Sequence, residues 1–258
     1  MSDWSLLRNS QCAADDTTVN PYVATLTSGS ANVKGAWVQV EASLDYSIAG
    51  VILEYKAPST ANYGLIDIGI GAGGSEVVVI PNINGLLSQA DTGSTAMFFP
   101  LALPAGTRVA CRFQSATGSA TIGVKLQFIS DEFAGIQPVQ RWADWGTVLA
   151  SSSGTTVVAG GSAHTKGGYS QLVAATAFTS KWLMIMMTWS DPNRNFVVDI
   201  SVGAAAAEQI IIPDLFTFDG SGWSVLIPFS VPEGSRISAR CASQNGSSGT
   251  IISILGGQ

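Results

Sequence analysis

Charge is what this chain lacks most. Of its 258 residues, 12% are Asp, Glu, Lys or Arg; 12 are basic and 18 acidic, for a formal net charge of −6. A protein that holds nucleic acid by its phosphates needs a basic face, and so few cations cannot build an extended one. Histidine occurs once, as His164, and cysteine three times, as Cys12, Cys111 and Cys241. One imidazole and three scattered thiols supply neither the clustered ligands of a zinc site nor an even disulfide framework. The longest apolar run, around Trp182–Trp189, falls far short of the roughly 20 residues that cross a bilayer as a helix. The opening Met1-Ser2-Asp3-Trp4-Ser5 has no basic, apolar leader. Synthesis in a reducing cytoplasm without a cleaved signal is therefore the expectation, with neither a membrane nor a nucleic acid as partner.

What is abundant is apolar or small: 46% hydrophobic residues, 28 glycines and a mean hydropathy of +0.30. Such a chain can bury a core, which argues against disorder. It also repeats itself. Gly29-Ser30-Ala31-Asn32-Val33-Lys34-Gly35 matches Gly161-Ser162-Ala163-His164-Thr165-Lys166-Gly167 at an offset of 132 positions. The same offset places Trp37 on Tyr169, Gln39 on Gln171, Asp67-Ile68 on Asp199-Ile200, Glu76 on Glu208 and Ile80-Pro81 on Ile212-Pro213. After a four-residue deletion the offset becomes 128, and Pro104-Ala105-Gly106-Thr107-Arg108 lies on Pro232-Glu233-Gly234-Ser235-Arg236, with Arg112 on Arg240. One order kept over so long a stretch is a duplication. The unit is too long for a solenoid repeat and is a domain with its own core. The break in periodicity at Asp131–Ala143 sets the expected units at 1–141 and 142–258.

Each copy reads as β. Short runs rich in Val, Ile, Leu, Phe and Trp alternate with Gly, Ser, Thr, Asn and Pro clusters. The first copy offers 37–42, 50–56, 65–71, 76–83, 96–103, 108–114 and 121–129; the second offers 169–174, 181–189, 196–202, 208–215, 223–231, 236–242 and 250–255. Ala204–Ala207 corresponds to Ala72-Gly73-Gly74-Ser75, so it reads as a turn and not a helix. Asp219-Gly220-Ser221-Gly222 reads as a hairpin turn. The expected fold is all-β: two tandem, internally duplicated β-sandwiches, of jelly-roll or another Greek-key type.

Of the charged residues that persist in both copies, eight are candidates for a shared site: Asp67 and Asp199, Glu76 and Glu208, Arg108 and Arg236, Arg112 and Arg240. Residues four apart on a strand share a face, so each arginine pair points one way. The preferred reading is partly buried ion pairs closing one end of the sandwich; its rival is a cluster gripping a polar ligand. His164 replaces Asn32, so the duplicated fold needs no imidazole there, and no Gly-x-Ser-x-Gly elbow positions a serine nucleophile. Gly69–Gly74 lacks the Lys-Ser/Thr ending of a phosphate loop, and the acid pairs Asp15-Asp16 and Asp131-Glu132 lack calcium-loop spacing. No catalytic residue, metal ligand or cofactor is expected, and the chain reads as a non-enzyme. Six tryptophans, Trp37, Trp142, Trp145, Trp182, Trp189 and Trp223, are candidates for inter-domain or inter-subunit packing, with a sugar-stacking platform as the alternative.

The run Lys34-Gly35-Ala36-Trp37-Val38-Gln39, then Leu65–Gly71 with Glu76–Asn82, then Pro104–Arg108, resembles repeats in tailed-phage structural proteins; the second copy carries a weaker version. The resemblance implies a virion protein assembled in the host cytoplasm, with other virion proteins and further copies of itself as partners. It carries no catalytic residues over. Low charge agrees independently, because charged side chains are costly in subunit contacts. A tail fibre or baseplate position is the leading expectation. Decoration of the head surface is the first alternative, and a carbohydrate-binding module that attaches to a surface glycan is the second.

Overall fold

The computed structural model describes residues 11–12, 24–56, 63–86, 94–132, 137–189, 195–217 and 223–258. The 219–222 turn expected above lies outside them. Nine strands come first: β1 (Gln11–Cys12), β2 (Ala24–Thr27), β3 (Val38–Glu41), β4 (Ile48–Lys56), β5 (Tyr63–Ile70), β6 (Val77–Leu86), β7 (Ser94–Leu103), β8 (Val109–Ser115) and β9 (Thr121–Ser130). β10 (Trp142–Trp145), β11 (Thr147–Val148) and a 3-10 turn at Leu149–Ser151 lead into the second set. That set is β12 (Ser153–Val158), β13 (Ser170–Val173), β14 (Trp182–Trp189), β15 (Phe196–Val202), β16 (Gln209–Thr217), β17 (Trp223–Ile227), β18 (Ile237–Ser243) and β19 (Gly249–Gly257).

The two sets are wired identically. In the first, one antiparallel sheet has the order β2-β9-β4-β7 and the other β3-β8-β5-β6; in the second the orders are β12-β19-β14-β17 and β13-β18-β15-β16. Successive strands from β2 to β9 alternate between the sheets except β5 and β6, which pair as a hairpin within one sheet, and the last strand returns beside the first. That is the jelly roll, which settles the topology that the sequence left open between two sandwich types. The strand β9 shows why these segments are strands: Thr121-Ile122-Gly123-Val124-Lys125-Leu126-Gln127-Phe128 buries every second residue, the period of a sheet with one face in a core.

The duplication reaches the backbone. Asn32 and His164 both sit in the left-handed region (φ 60° and 58°), as do Asn82 and Asp214 (φ 48° and 51°). Gly35 and Gly167 pass so close to the carbonyls of Thr27 and Val158 that a Cβ at either would overlap them. The Gly69–Gly74 and Ala204–Ala207 segments are turns, closed by Ser75 N–H to the Ala72 carbonyl and Ala207 N–H to the Ala204 carbonyl, both at 3.0 Å.

Two expectations need correction. The strand read at 223–231 ends at Ile227, directly before Pro228, whereas its counterpart β7 runs through Pro100 because that residue still pairs with Gly50. The opening strands β2 and β12 were not foreseen: they are short and rich in Ser and Thr, and their hydrogen bonds go to the last strand of each copy, far away in sequence.

Candidate functional site

The shared charges fall on the outer face of the β3-β8-β5-β6 sheet and its twin. Asp67 on β5 stands opposite Arg112 on β8. Its carboxylate accepts from Lys34 Nζ (2.7 Å), Arg112 Nε (2.7 Å) and the Asn82 N–H (2.8 Å). Asp199 repeats this with Lys166 Nζ (2.7 Å), Arg240 Nε (2.9 Å) and the Asp214 N–H (3.0 Å). The left-handed residue after each proline turns its N–H onto the carboxylate, which accounts for the repeated Ile-Pro and the bulge beside it. Each guanidinium also lies over an aromatic ring, Arg112 over Trp37 at 4.5 Å and Arg240 over Tyr169 at 4.8 Å.

A second bracket pins the neighbouring turn. Arg108 donates to Gln39 Oε1, the Gly71 carbonyl and Glu76 Oε1, all at 2.9 Å. Arg236 donates to Gln171 Oε1 (3.0 Å), the Gly203 carbonyl (3.1 Å) and Glu208 Oε1 (3.0 Å). All eight of these charges, and the shared Lys34 and Lys166, are thus engaged within the fold. The lysines and the glutamines were the members not foreseen. Both were visible as identities in the repeat alignment, but nothing in strand periodicity says that Lys34 reaches across 33 residues to Asp67.

Burial alone would raise the Asp199 carboxyl; hydrogen bonds from Lys166, the Asp214 N–H and Arg240 outweigh it and hold the group below its ordinary value. A depressed folded value contributes stability that is present above the unfolded value, about 3.9, and lost as pH falls through the folded one. Asp144, on β10, has the opposite sign. Burial, only partly offset by hydrogen bonds from Thr147 and Asn82, raises it, so its contribution is present below about 3.9 and fades as pH rises through its folded value. The expected result is acid-induced loosening of the second sandwich that Asp199→Asn flattens. Urea midpoints across a pH series would show it, and an unchanged slope in the variant would refute the assignment.

Asp144 belongs to the seam between the sandwiches. There Asn82 Nδ2 donates to Asp144 Oδ2 (2.8 Å), Gln114 Nε2 to the Leu149 carbonyl (2.7 Å), and Ser152 Oγ to Asn32 Oδ1 (2.9 Å). The chain at 144–152 therefore lies on the outer face that carries Asp67. Beside it, β10 and β19 pack on β6 and β17 packs on β7. β14 shares its residues between two cores: Leu183, Ile185 and Met187 face the second, while Met184 and Met186 join the first.

The tryptophans divide accordingly. Trp142, 4% exposed, sits in the first core edge-on to Phe99 at 5.5 Å, although its strand belongs to the second sheet. Trp182 packs against the same core and donates to the Gln137 carbonyl (2.9 Å). Trp145 is buried in the second core and Trp223 packs against that core, while Trp37 lies on its own sheet under Arg112 and against Gly69. The seam thus takes Trp142 and Trp182; the other three described pack within their own unit. The side chain of Trp189 lies outside the described residues.

His164 is an exposed loop residue at the mouth of a pocket of about 340 Å³. Lys166, Val197, Asp214, Phe216 and Ala242 also line it. These occupy the places that Asn32, Lys34, Leu65, Asn82, Asn84 and Gln114 hold in the first copy.

No protein-family model matches the chain, and neither does any curated protein. Among solved structures it is similar to the major capsid protein P2 of bacteriophage PM2, at 8% identity and a TM-score of 0.39, covering 91% of this chain and 97% of that one. A tandem CBM22 pair from Paenibacillus barcinonensis Xyn10C matches at 7% identity and a TM-score of 0.27, over 86% and 82% of the two chains. Infectious bursal disease virus, Gt strain, matches at 10% and 0.28, over 84% and 58%. At these scores none of them assigns an activity or a partner.

Proposed function

We propose that this protein is a non-enzymatic structural component of a tailed-phage particle, packing against other virion subunits at a tail fibre or baseplate. The observation that carries the reading is the use made of the shared charges. All eight brace a sheet or a turn in both copies, so what the duplication preserves is architecture. The phage-like repeat motifs are those same braces: Lys34-Gly35, Asp67, Glu76 and Pro104–Arg108. The low charge suits a surface largely covered by neighbours.

Protein mass spectrometry with densitometry of purified particles tests this. A tail component is present in few copies, set by the rotational symmetry of the tail; hundreds of copies would move the protein to the head surface, as a decoration protein. Absence from the purified particle would overturn the reading altogether.

A further inference from the structure

The loop that joins β18 to β19 carries a reactive pair that its twin in the first sandwich lacks. The chain contains two Asn-Gly pairs, Asn84-Gly85 and Asn245-Gly246. In such a pair the backbone nitrogen attacks the side-chain amide most readily, because glycine puts no side chain in the way. The attack needs an N–H outside a hydrogen-bonded ladder and a chain free to bend. The two pairs differ on both counts. Asn84 and Gly85 lie within β6, opposite Leu65 and Gly64 of β5, and Asn84 is fully buried. Asn245 is exposed in the loop 244–248, and among the described residues the Gly246 N–H donates no hydrogen bond.

The fold requires the glycine. Its φ is 72°, and a Cβ there would stand 2.8 Å from the carbonyl carbon of Ser162, so the unhindered nitrogen is kept in place. The fold does not require the asparagine: the matching loop of the first sandwich has Thr117 before Gly118.

We propose that Asn245 is a site of spontaneous covalent modification, its side-chain amide displaced by the Gly246 nitrogen. That nitrogen bonds to Asn245 Cγ and gives up its proton; the bond to the side-chain nitrogen breaks, ammonia leaves, and a succinimide ring closes. Water then opens the ring at either carbonyl. One opening leaves aspartate. The other leaves isoaspartate, in which the main chain runs through the former side chain and is one methylene longer. Neither oxidant nor metal enters the balance, and either product adds a negative charge.

The location gives the isoaspartate its effect. The loop is docked on the connection that follows β12 by three backbone bonds: Ala159 N–H to the Ser248 carbonyl (2.8 Å), Ser247 N–H to the Gly160 carbonyl (2.7 Å) and His164 N–H to the Ser243 carbonyl (2.8 Å). These bracket Asn245-Gly246 on both sides. A main chain lengthened between Ser243 and Ser247 cannot keep all three, so the modification unclamps this end of the second sandwich. The first sandwich, with Thr117, keeps its matching bonds, Ser119 N–H to the Gly29 carbonyl (2.8 Å) and Asn32 N–H to the Ser115 carbonyl (2.7 Å). The inference stands whether or not the particle assignment does.

Incubation of the full chain for weeks at body temperature and mildly alkaline pH, followed by peptide mass spectrometry and calorimetry, tests this. The peptide carrying Asn245 should gain the mass difference between water and ammonia, in aspartyl and isoaspartyl forms that chromatography resolves, while the Asn84 peptide keeps its amide. The thermal midpoint should fall with the isoaspartyl fraction by about 2–4 °C, the shift for one lost hydrogen bond in a chain of this size. Asn245→Thr, the residue of the first copy, should hold its own starting midpoint throughout. An Asn245 peptide that keeps its amide, or converts no faster than the Asn84 peptide, overturns the proposal. Asn245→Asp carries the added charge on an unaltered main chain and should match the fresh parent; a fall as large as that of the aged protein would overturn the unclamping.

Discussion

Asp67→Ala should destabilise the protein by about 3–5 kcal/mol, and Asp199→Ala by about 2 kcal/mol, although the two carboxylates make the same three hydrogen bonds. The difference lies in what each deletion leaves behind. Removing Asp67 strands Lys34, whose side chain is 16% exposed, in the zone beside the seam. Burial already pulls the Lys34 ammonium below its ordinary value, with Asp67 as the chief opposing influence. Its neighbour across the bulge is Asn82, a neutral amide, and Asp144, the acid that still acts on it, makes no ion pair with it and is already held by Asn82 and Thr147. Removing Asp199 strands Lys166, but that lysine keeps Asp214 at 3.0 Å, on a face open to water. Arg240, with a side chain 30% exposed, can rehydrate. The larger loss corresponds to a fall of about 10 °C in Tm for a chain of this size. Urea unfolding of both variants, followed by tryptophan fluorescence, measures the order directly. Equal losses, or the reverse order, would show that the seam does not isolate Lys34. Asp67→Asn, which keeps an acceptor for the Asn82 N–H, should recover part of the loss and none of the charge term.

This asymmetry could not be read from the chain, although its ingredients could. The duplication and the strand periodicity are local or nearly so, an offset of 132 positions and a period of two residues, and the shared charges stood out as ion-pair candidates, but not which of them pairs with which. Lys34 and Lys166 stood in the alignment as plain identities, because a lysine in a loop has no periodicity to say where its long stem reaches. The opening strands β2 and β12 were invisible for a related reason. Their sequences, such as Ala24-Thr25-Leu26-Thr27, carry little apolar signal and are held by partners nearly 100 residues away. Most of the difference between the copies is tertiary. Asn82 against Asp214 and Asn84 against Phe216 look like drift in an alignment; in the fold Asn82 holds Asp144 at the seam, whereas Asp214 and Phe216 line a pocket.

Trp142→Ala should cost about 3–5 kcal/mol and split the unfolding of the molecule into two resolved transitions. Trp142 is anchored by its backbone to β19, with Trp142 opposite Gly257, so it moves with the second sandwich. Its ring is buried in the first core, edge-on to Phe99, with the α-carbon side of Gly257 packed closely against it. One side chain thus counts toward the cohesion of both units. Met184 and Met186 do so too, but thioethers are pliable and fill space without fixing it. A rigid indole in an edge-on ring contact transmits the loss of one core to the other, which is the physical content of cooperativity between domains. Truncation leaves a cavity on the seam side of the first core that the rigid β10 backbone cannot collapse to fill. Trp145→Ala is the matched control. Trp145 sits three residues along the same strand and is just as buried, but it belongs wholly to the second core, so its loss should lower the joint transition without splitting it. Trp142→Phe restores the ring–ring contact and should bring the transitions back together, helped by the fact that the buried Trp142 Nε1 makes no hydrogen bond among the described residues that phenylalanine would forfeit. Differential scanning calorimetry distinguishes these outcomes. A single transition in Trp142→Ala, shifted down but still matching the enthalpy of the whole molecule, would mean that the polar contacts of Asp144, Leu149 and Ser152 couple the sandwiches without the indole.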